Sequence, residues 1–192
     1  MKVLHLNSVY KIGSTGRIVS NIHTELIKLN LGSYVCYGRG EESQENFVFK
    51  ISSNKDNFLH GIGSRIFDNH GLYSKKSTKK LLDIINKVNP DIIHIHNIHG
   101  YYMNYLTFFN EIKNLNIKIV WTLHDCWAFT GHCSHFDYIG CDKWKYECSK
   151  CPQKKEYPKS VLFDDSKRNY NLKKILYSDL KDITIVTPSN WL

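Results

Sequence analysis

"STKKLLDIINKVNPDIIHIHNIHG" (residues 77–100) decides the fold of this 192-residue chain. Leu81, Ile84, Ile85 and Val88 recur at the spacing of one helix face, and Asn89-Pro90 closes the helix, because proline has no backbone N–H to continue it. The chain then passes directly into "DIIHIHN", a compact strand. A helix that delivers the chain straight into a strand is half of a β–α–β unit, so its neighbours should repeat the alternation.

They do. Downstream, "NYLTFFNEIKNLN" carries Leu106, Phe109, Ile112 and Leu115 at helical spacing, and "IKIVWTLHD" is an almost wholly apolar strand. Such a strand suits a parallel sheet covered on both faces. "SKRNYNLKKILYSDLKD" reads as a further helix and "ITIVTPSNWL" as a last strand running into a turn. Upstream, "KVLHLNSVY" is a first strand. After "KIGSTGR" comes a helix whose apolar face is Ile18, Ile22, Leu26 and Leu29, with Gly32 as its stop; "SYVCYGR" follows as a strand. Residues 41–72 are mixed, with "HGIGSR" and "NHGLY" as turn signals and no assignable element. The expectation is an α/β fold, a Rossmann-like three-layer parallel sheet with right-handed crossovers. Ligands gather at the carboxyl ends of such strands.

Hydrophobic content of 42% with interspersed charge marks a globular chain. No apolar run approaches the ~20 residues of a membrane span, and the start reads as a strand rather than a signal peptide. A cytoplasmic location with reduced thiols is the expectation. The net charge is +8, and residues 142–174 hold ten Lys/Arg against five Asp/Glu. A solvated lysine-rich face and attraction to an anionic lipid or substrate explain this equally well. Nucleic acid is disfavoured, because no nucleic-acid module accompanies the charge.

The chemistry-bearing residues fall at strand ends. Gly13, Ser14, Thr15 and Gly16 sit where a helix N-terminus could meet an anion, although a plain tight turn accounts for them as well. The pattern is neither G-x-G-x-x-G nor a phosphate loop ending in Gly-Lys-Ser/Thr. His94, His96 and His99 close a middle strand. His94 and His96 share a face, but core histidines bonded to neighbouring backbone are the commoner reading than a metal pair. His124 and Asp125 follow the apolar strand, as a base or hydrogen-bond donor or as satisfied edge residues.

"HDCWAFTGHCSHFDYIGCDKWKYECSKCPQ" (124–153) holds five of the six cysteines. Cys148-x-x-Cys151 has chelating spacing, and Cys133 with Cys141 would complete a tetrahedral four-cysteine zinc site, closed and therefore structural. His132 and His135 are substitutes for one sulfur. Cys126 and Cys36 read as buried thiols. The insert spans about 126–155.

In order, "KVLHLN…GSTGR…DIIHIHNIHG…WTLHDCWAFTGHC…YIGC…CSKCPQ…VTPSNWL" resembles the N-terminal domain of family 4 glycosyltransferases, especially bacterial polysaccharide enzymes of the colanic acid type. The resemblance implies the first half of a GT-B architecture, in which residues 1–192 form the acceptor-side domain and a C-terminal donor-binding domain lies outside the chain. It implies retaining transfer of a sugar from a nucleotide-sugar donor to a glycan or lipid-linked acceptor, with no catalytic metal. The isolated chain would be inactive, and the protein would work in the cytoplasm or peripherally at the inner membrane face. By the same resemblance His124 and Asp125 are the catalytic candidates. Gly13, Ser14, Thr15, Gly16, Arg17, His96, Asn97, Trp127 and Ser189 are the substrate-binding ones. The alternative is a zinc-stabilised module that binds carbohydrate or nucleotide without turnover.

Overall fold

The computed structural model describes residues 1–192. The elements follow in order: β1 (Lys2–Val9), α1 (Gly13–Lys28), β2 (Gly32–Arg39), β3 (Val48–Lys50), α2 (Asn54–Phe67), α3 (Lys75–Val88), β4 (Ile92–Ile95), α4 (Tyr105–Ile112), β5 (Lys118–Thr122), α5 (Ser166–Ser178) and β6 (Ile183–Val186). All strand pairings are parallel, in the order β3-β2-β1-β4-β5-β6. The order reverses direction between β1 and β4, and that crevice is where such sheets hold ligands. The expected three-layer Rossmann-like sheet is present.

Strand alternation sorts the two faces. Leu4 and Leu6 of β1, Ile93 and Ile95 of β4 and Ile119 and Trp121 of β5 join Leu81 and Ile85 of α3, Phe108, Phe109 and Ile112 of α4 and Leu176 of α5 in the main core. The opposite face carries α1 and a smaller cluster of Tyr10, Val19, Val35, Tyr37 and Val48. His5 pairs in register with both Val35 and His94, so it and His94 lie on the α1 side.

Three expectations need correction. Residues 41–72 contain β3 and α2. The glycines that read as turns in "HGIGSR" sit inside α2, and a Cβ at Gly63 would lie 2.6 Å from the Tyr73 ring; close packing, not a bend, is what glycine serves there. The face of α1 is rotated from the one expected: the buried stripe is Gly16, Val19, Ser20 and His23, while Ile18 and Leu29 are 40% and 67% exposed. Small residues let α1 approach the sheet closely, and His23 Nδ1 meets Ser33 Oγ at 2.8 Å on β2. Finally, α4 ends at Ile112, so Leu115 falls outside it and is partly exposed.

Helix starts are capped where the chain supplies a side chain. Ser53 Oγ accepts from the Asp56 N–H at 3.1 Å, and Asn104 Oδ1 accepts from the Thr107 N–H at 2.9 Å. α1 has no side-chain cap. Between β5 and α5 the chain holds only two short 3₁₀ turns, Asp137–Ile139 and Lys143–Lys145.

Candidate functional site

The carboxyl ends of β1, β4 and β5 converge beside the start of α1. Asn7, fully buried in β1, staples them together. Its Nδ2 donates to Val9 O (2.8 Å) and to Thr15 Oγ1 (3.4 Å), while its Oδ1 accepts from the Asn97 N–H (3.2 Å). The glycine segment is thus tied to the end of β4 through one amide. Gly13 (φ +66°) opens α1, so "GSTG" is its first turn rather than a loop before it. A Cβ at Gly16 would come within 3.2 Å of Lys11 N; the turn closes only around a hydrogen at that position. Ser14 and Arg17 are exposed on the same turn.

The histidines form a row. His94 Nε2 lies 2.9 Å from Thr122 Oγ1, and His96 Nδ1 lies 3.0 Å from His124 Nε2. The His96 and His124 rings stack at 5.3 Å and 16°. The expected backbone partners are therefore replaced by side chains. His5 and His96 flank His94, and ligand atoms of His5, His94 and His96 lie within 4.8 Å of one another. Neither ring nitrogen of His5, nor His96 Nε2, meets a hydrogen-bonding partner. Burial holds these imidazoles neutral: His5 is lowered to about 3, His94 to about 4 and His96 to about 2, with neighbouring histidines acting in the same direction. His124 is also lowered by burial, with Asp125 opposing. His124 Nε2 faces His96, and its Nδ1 is the nitrogen turned away from that contact.

Asp125 has both oxygens engaged. Oδ2 is 3.0 Å from His99 Nε2 and Oδ1 accepts from the Trp127 N–H at 2.9 Å. Burial would raise its pKa, but His99 and the Trp127 N–H outweigh that and hold it low. This carboxylate ties the loop together through His99 and the Trp127 N–H. His99 stacks on Trp127 at 5.2 Å and 16°. Together, His96, Asn97, His99, His124, Asp125 and Trp127 line one small pocket. Ser189 stands apart, in an exposed turn after β6.

Four residues near or behind this pocket carried no role in the sequence reading. Besides Asn7 there is Arg39, at the end of β2, whose guanidinium lies beside Gly100 and whose buried Nε has no partner. Lys173 of α5 is buried; its Nζ donates to Trp127 O (2.5 Å) and Thr130 O (3.1 Å) and lies 3.4 Å from the centre of the Trp127 ring. Asp68, at the end of α2, is buried as well: Oδ1 meets His132 Nδ1 at 2.5 Å, and Oδ2 accepts from the Asp165 N–H at 2.8 Å. One signal was available for Lys173, which falls on the buried stripe Ser166, Asn169 and Leu176 of α5.

All six cysteines are free thiols. Cys36 and Cys126 are buried, as expected. Cys133, Cys141, Cys148 and Cys151 share a second pocket. Four of the ten basic residues in 142–174 are paired or hidden. Lys173 is buried, and Lys145, Lys167 and Arg168 pair with Asp142, Glu147 and Asp165. No helix is long and apolar enough to cross a membrane.

Comparison with known proteins agrees with this arrangement. The model for Glycosyltransferase Family 4 matches residues 15–158. The chain is 28% identical over 170 residues to the protein named "Putative colanic acid biosynthesis glycosyl transferase WcaC" of Escherichia coli (strain K12), an alignment covering 82% of this chain and 41% of that one. The chain therefore spans about two fifths of that relative's length. A solved UDP-GlcNAc 2-epimerase from Neisseria meningitidis, bound to UDP-GlcNAc, aligns over 92% of this chain and 38% of its own, at 14% identity and a TM-score of 0.38. That likeness is too slight to carry any argument. The match over most of the chain, together with the parallel sheet and its strand-end residues, places this chain in glycosyltransferase family 4.

Proposed function

We propose that the protein containing this chain transfers a sugar from a nucleotide-sugar donor to a glycan or lipid-linked acceptor, with retention, and that residues 1–192 form the acceptor-side half of a GT-B cleft. One observation carries the reading: His124, backed by His96, stands with the start of α1 at the switch point of the sheet. The leaving nucleoside diphosphate develops negative charge as the glycosidic bond breaks. Uncapped backbone N–H groups at the start of α1 and the Arg39 guanidinium are the groups of this domain suited to that charge. His124 Nδ1 would bind a hydroxyl of the reacting sugar, while His96 fixes the ring's orientation. Asp125 holds the loop through His99 and Trp127. A cytoplasmic enzyme using lipid-linked acceptors at an anionic membrane surface belongs to the same proposal, and lysines 150, 154, 155, 159 and 174 are its candidates for such docking.

The test uses the intact protein, a panel of nucleotide sugars and lipid-linked glycan acceptors. His124→Ala should lower turnover about 10²-fold or more, as expected for a positioned catalytic side chain, with an unchanged circular dichroism spectrum. Unchanged turnover would remove His124 from the chemistry. Nucleotide or glycan binding without transfer in the intact protein would establish the non-catalytic module instead. Transfer by residues 1–192 alone at the full rate would refute the half-cleft reading.

A further inference from the structure

The segment between β5 and α5 is irregular, tied at its start by Lys173, Asp68 and Asp125 but not through its middle. It contains no strand and only two 3₁₀ turns. Tyr138 and Tyr146 are each 80% exposed and Ile139 is 50% exposed, so its middle has little core of its own. Segments of this size without a core are ordinarily held by disulfides or a metal.

Four of the chain's six cysteines face one pocket of this segment. Cys133, Cys141, Cys148 and Cys151 line one pocket, walled by Phe136 and Trp144. A second, independent observation points the same way: His132 is 2% exposed, its Nε2 has no partner, and it lines the same pocket. Its Nδ1 is held by Asp68, which fixes the ring as a carboxylate does beside a metal centre. Lys143 also lines the pocket, with Nζ donating to Ser149 O (2.9 Å) and Lys150 O (3.1 Å).

We propose that Cys133, Cys141, Cys148 and Cys151 bind one structural zinc ion. Four soft sulfurs favour zinc in a tetrahedral shell, and the spacing ends in Cys148-x-x-Cys151. Four thiolates leave the centre with a charge of −2, which Lys143 on the pocket wall partly offsets. Binding releases the thiol protons to solvent, with no change of oxidation state. A closed shell has no open position for substrate, so the ion takes no part in sugar transfer.

The sulfurs must draw in to close this shell, since among the described residues only His5, His94 and His96 stand with ligand atoms within 4.8 Å. Metal-coupled ordering of a coreless segment has that character. The histidine trio is the weaker candidate. Two of its nitrogens are taken by Thr122 and His124, and the sheet already holds all three residues in place.

The metal would reach the site through the backbone. The Thr130 hydroxyl donates to Cys133 O at 2.5 Å, and the Cys126 N–H donates to Ser134 O at 2.8 Å. The knot of cysteines is therefore fastened to the turn that carries Asp125 and Trp127.

The experiment is elemental analysis of the intact, untagged protein purified without chelator. One zinc per chain is expected, together with thiolate-to-metal charge transfer and tetrahedral ligand-field bands after cobalt substitution. The four thiols should resist a disulfide reagent until a strong chelator is added. Cys148→Ser and Cys141→Ser should each lose the metal, while Cys36→Ala keeps it. Should the serine variants fail to fold, the wild-type stoichiometry and cobalt spectrum still decide. Folded protein that takes up no zinc overturns the proposal, as do disulfides among the four cysteines. Zinc kept by Cys148→Ser but lost by His94→Ala would place the metal on the histidines and overturn it equally. None of these outcomes depends on whether the protein transfers sugar.

Discussion

Acid should unfold this protein early, because four histidines are buried as neutral rings. His5, His60, His94 and His96 are lowered by burial to about 3, 4, 4 and 2, against an unfolded value of about 6.5. The unfolded chain therefore binds more protons between pH 6.5 and about 4. Stability is complete above pH 6.5 and falls as pH drops through that window. At pH 5.5 each histidine contributes a loss of about 1.4 kcal/mol, and at pH 5 about 2 kcal/mol, by the linkage relation. Four of them remove about 6 kcal/mol at pH 5.5 and about 8 kcal/mol at pH 5. His70, lowered further still by its burial, acts with the same sign. A domain of this kind has about 5–15 kcal/mol to lose, so one in the lower part of that range, about 6–8 kcal/mol, should unfold with a midpoint between about pH 5 and 5.5. Tryptophan fluorescence and circular dichroism against pH at fixed ionic strength measure it. His5→Leu should move the midpoint down by about 0.3 pH unit, because it deletes one titrating ring and two unpartnered buried nitrogens. A native spectrum retained to pH 4 would show that these rings take up protons in the folded state, and would refute the reasoning.

Lys173→Met keeps the stem's volume but leaves Trp127 O and Thr130 O without their donor. At about 1–3 kcal/mol for each buried orphan carbonyl, urea unfolding should show a loss of about 2–6 kcal/mol, and an unchanged midpoint would refute the role. Arg39→Ala should weaken binding of a nucleoside diphosphate or other anionic substrate by about 10-fold or more, the worth of a charged hydrogen bond. Calorimetry on the intact protein measures this, and equal affinity would remove Arg39 from the site.

What the sequence reveals here follows from how burial is distributed. α3, β4, α4 and β5 are legible because each buries a continuous apolar stripe, and a stripe has a period. α2 is not, because Gly63 serves close packing against Tyr73 while Phe58 and Leu59 stay exposed at 67% and 66%; its periodicity points away from the core. α1 is legible as a helix but not in its orientation, since the side it buries is built from Gly16, Ser20 and His23 and only one apolar residue, Val19. The same division runs through the site. His96 and His124 stand at the ends of readable strands, so position alone brings them forward. Asn7, Asp68 and Lys173 reach partners 43 to 97 residues away along the chain, and Arg39 lies beside Gly100. Each is a single polar residue inside an element, and nothing in its immediate neighbourhood distinguishes it from a solvated one. Only burial does so. A buried polar side chain is ordinarily matched by a partner; Asn7 and Lys173 find theirs in the segments that shape the pocket around His124, and Asp68 finds His132 and the start of α5 behind it.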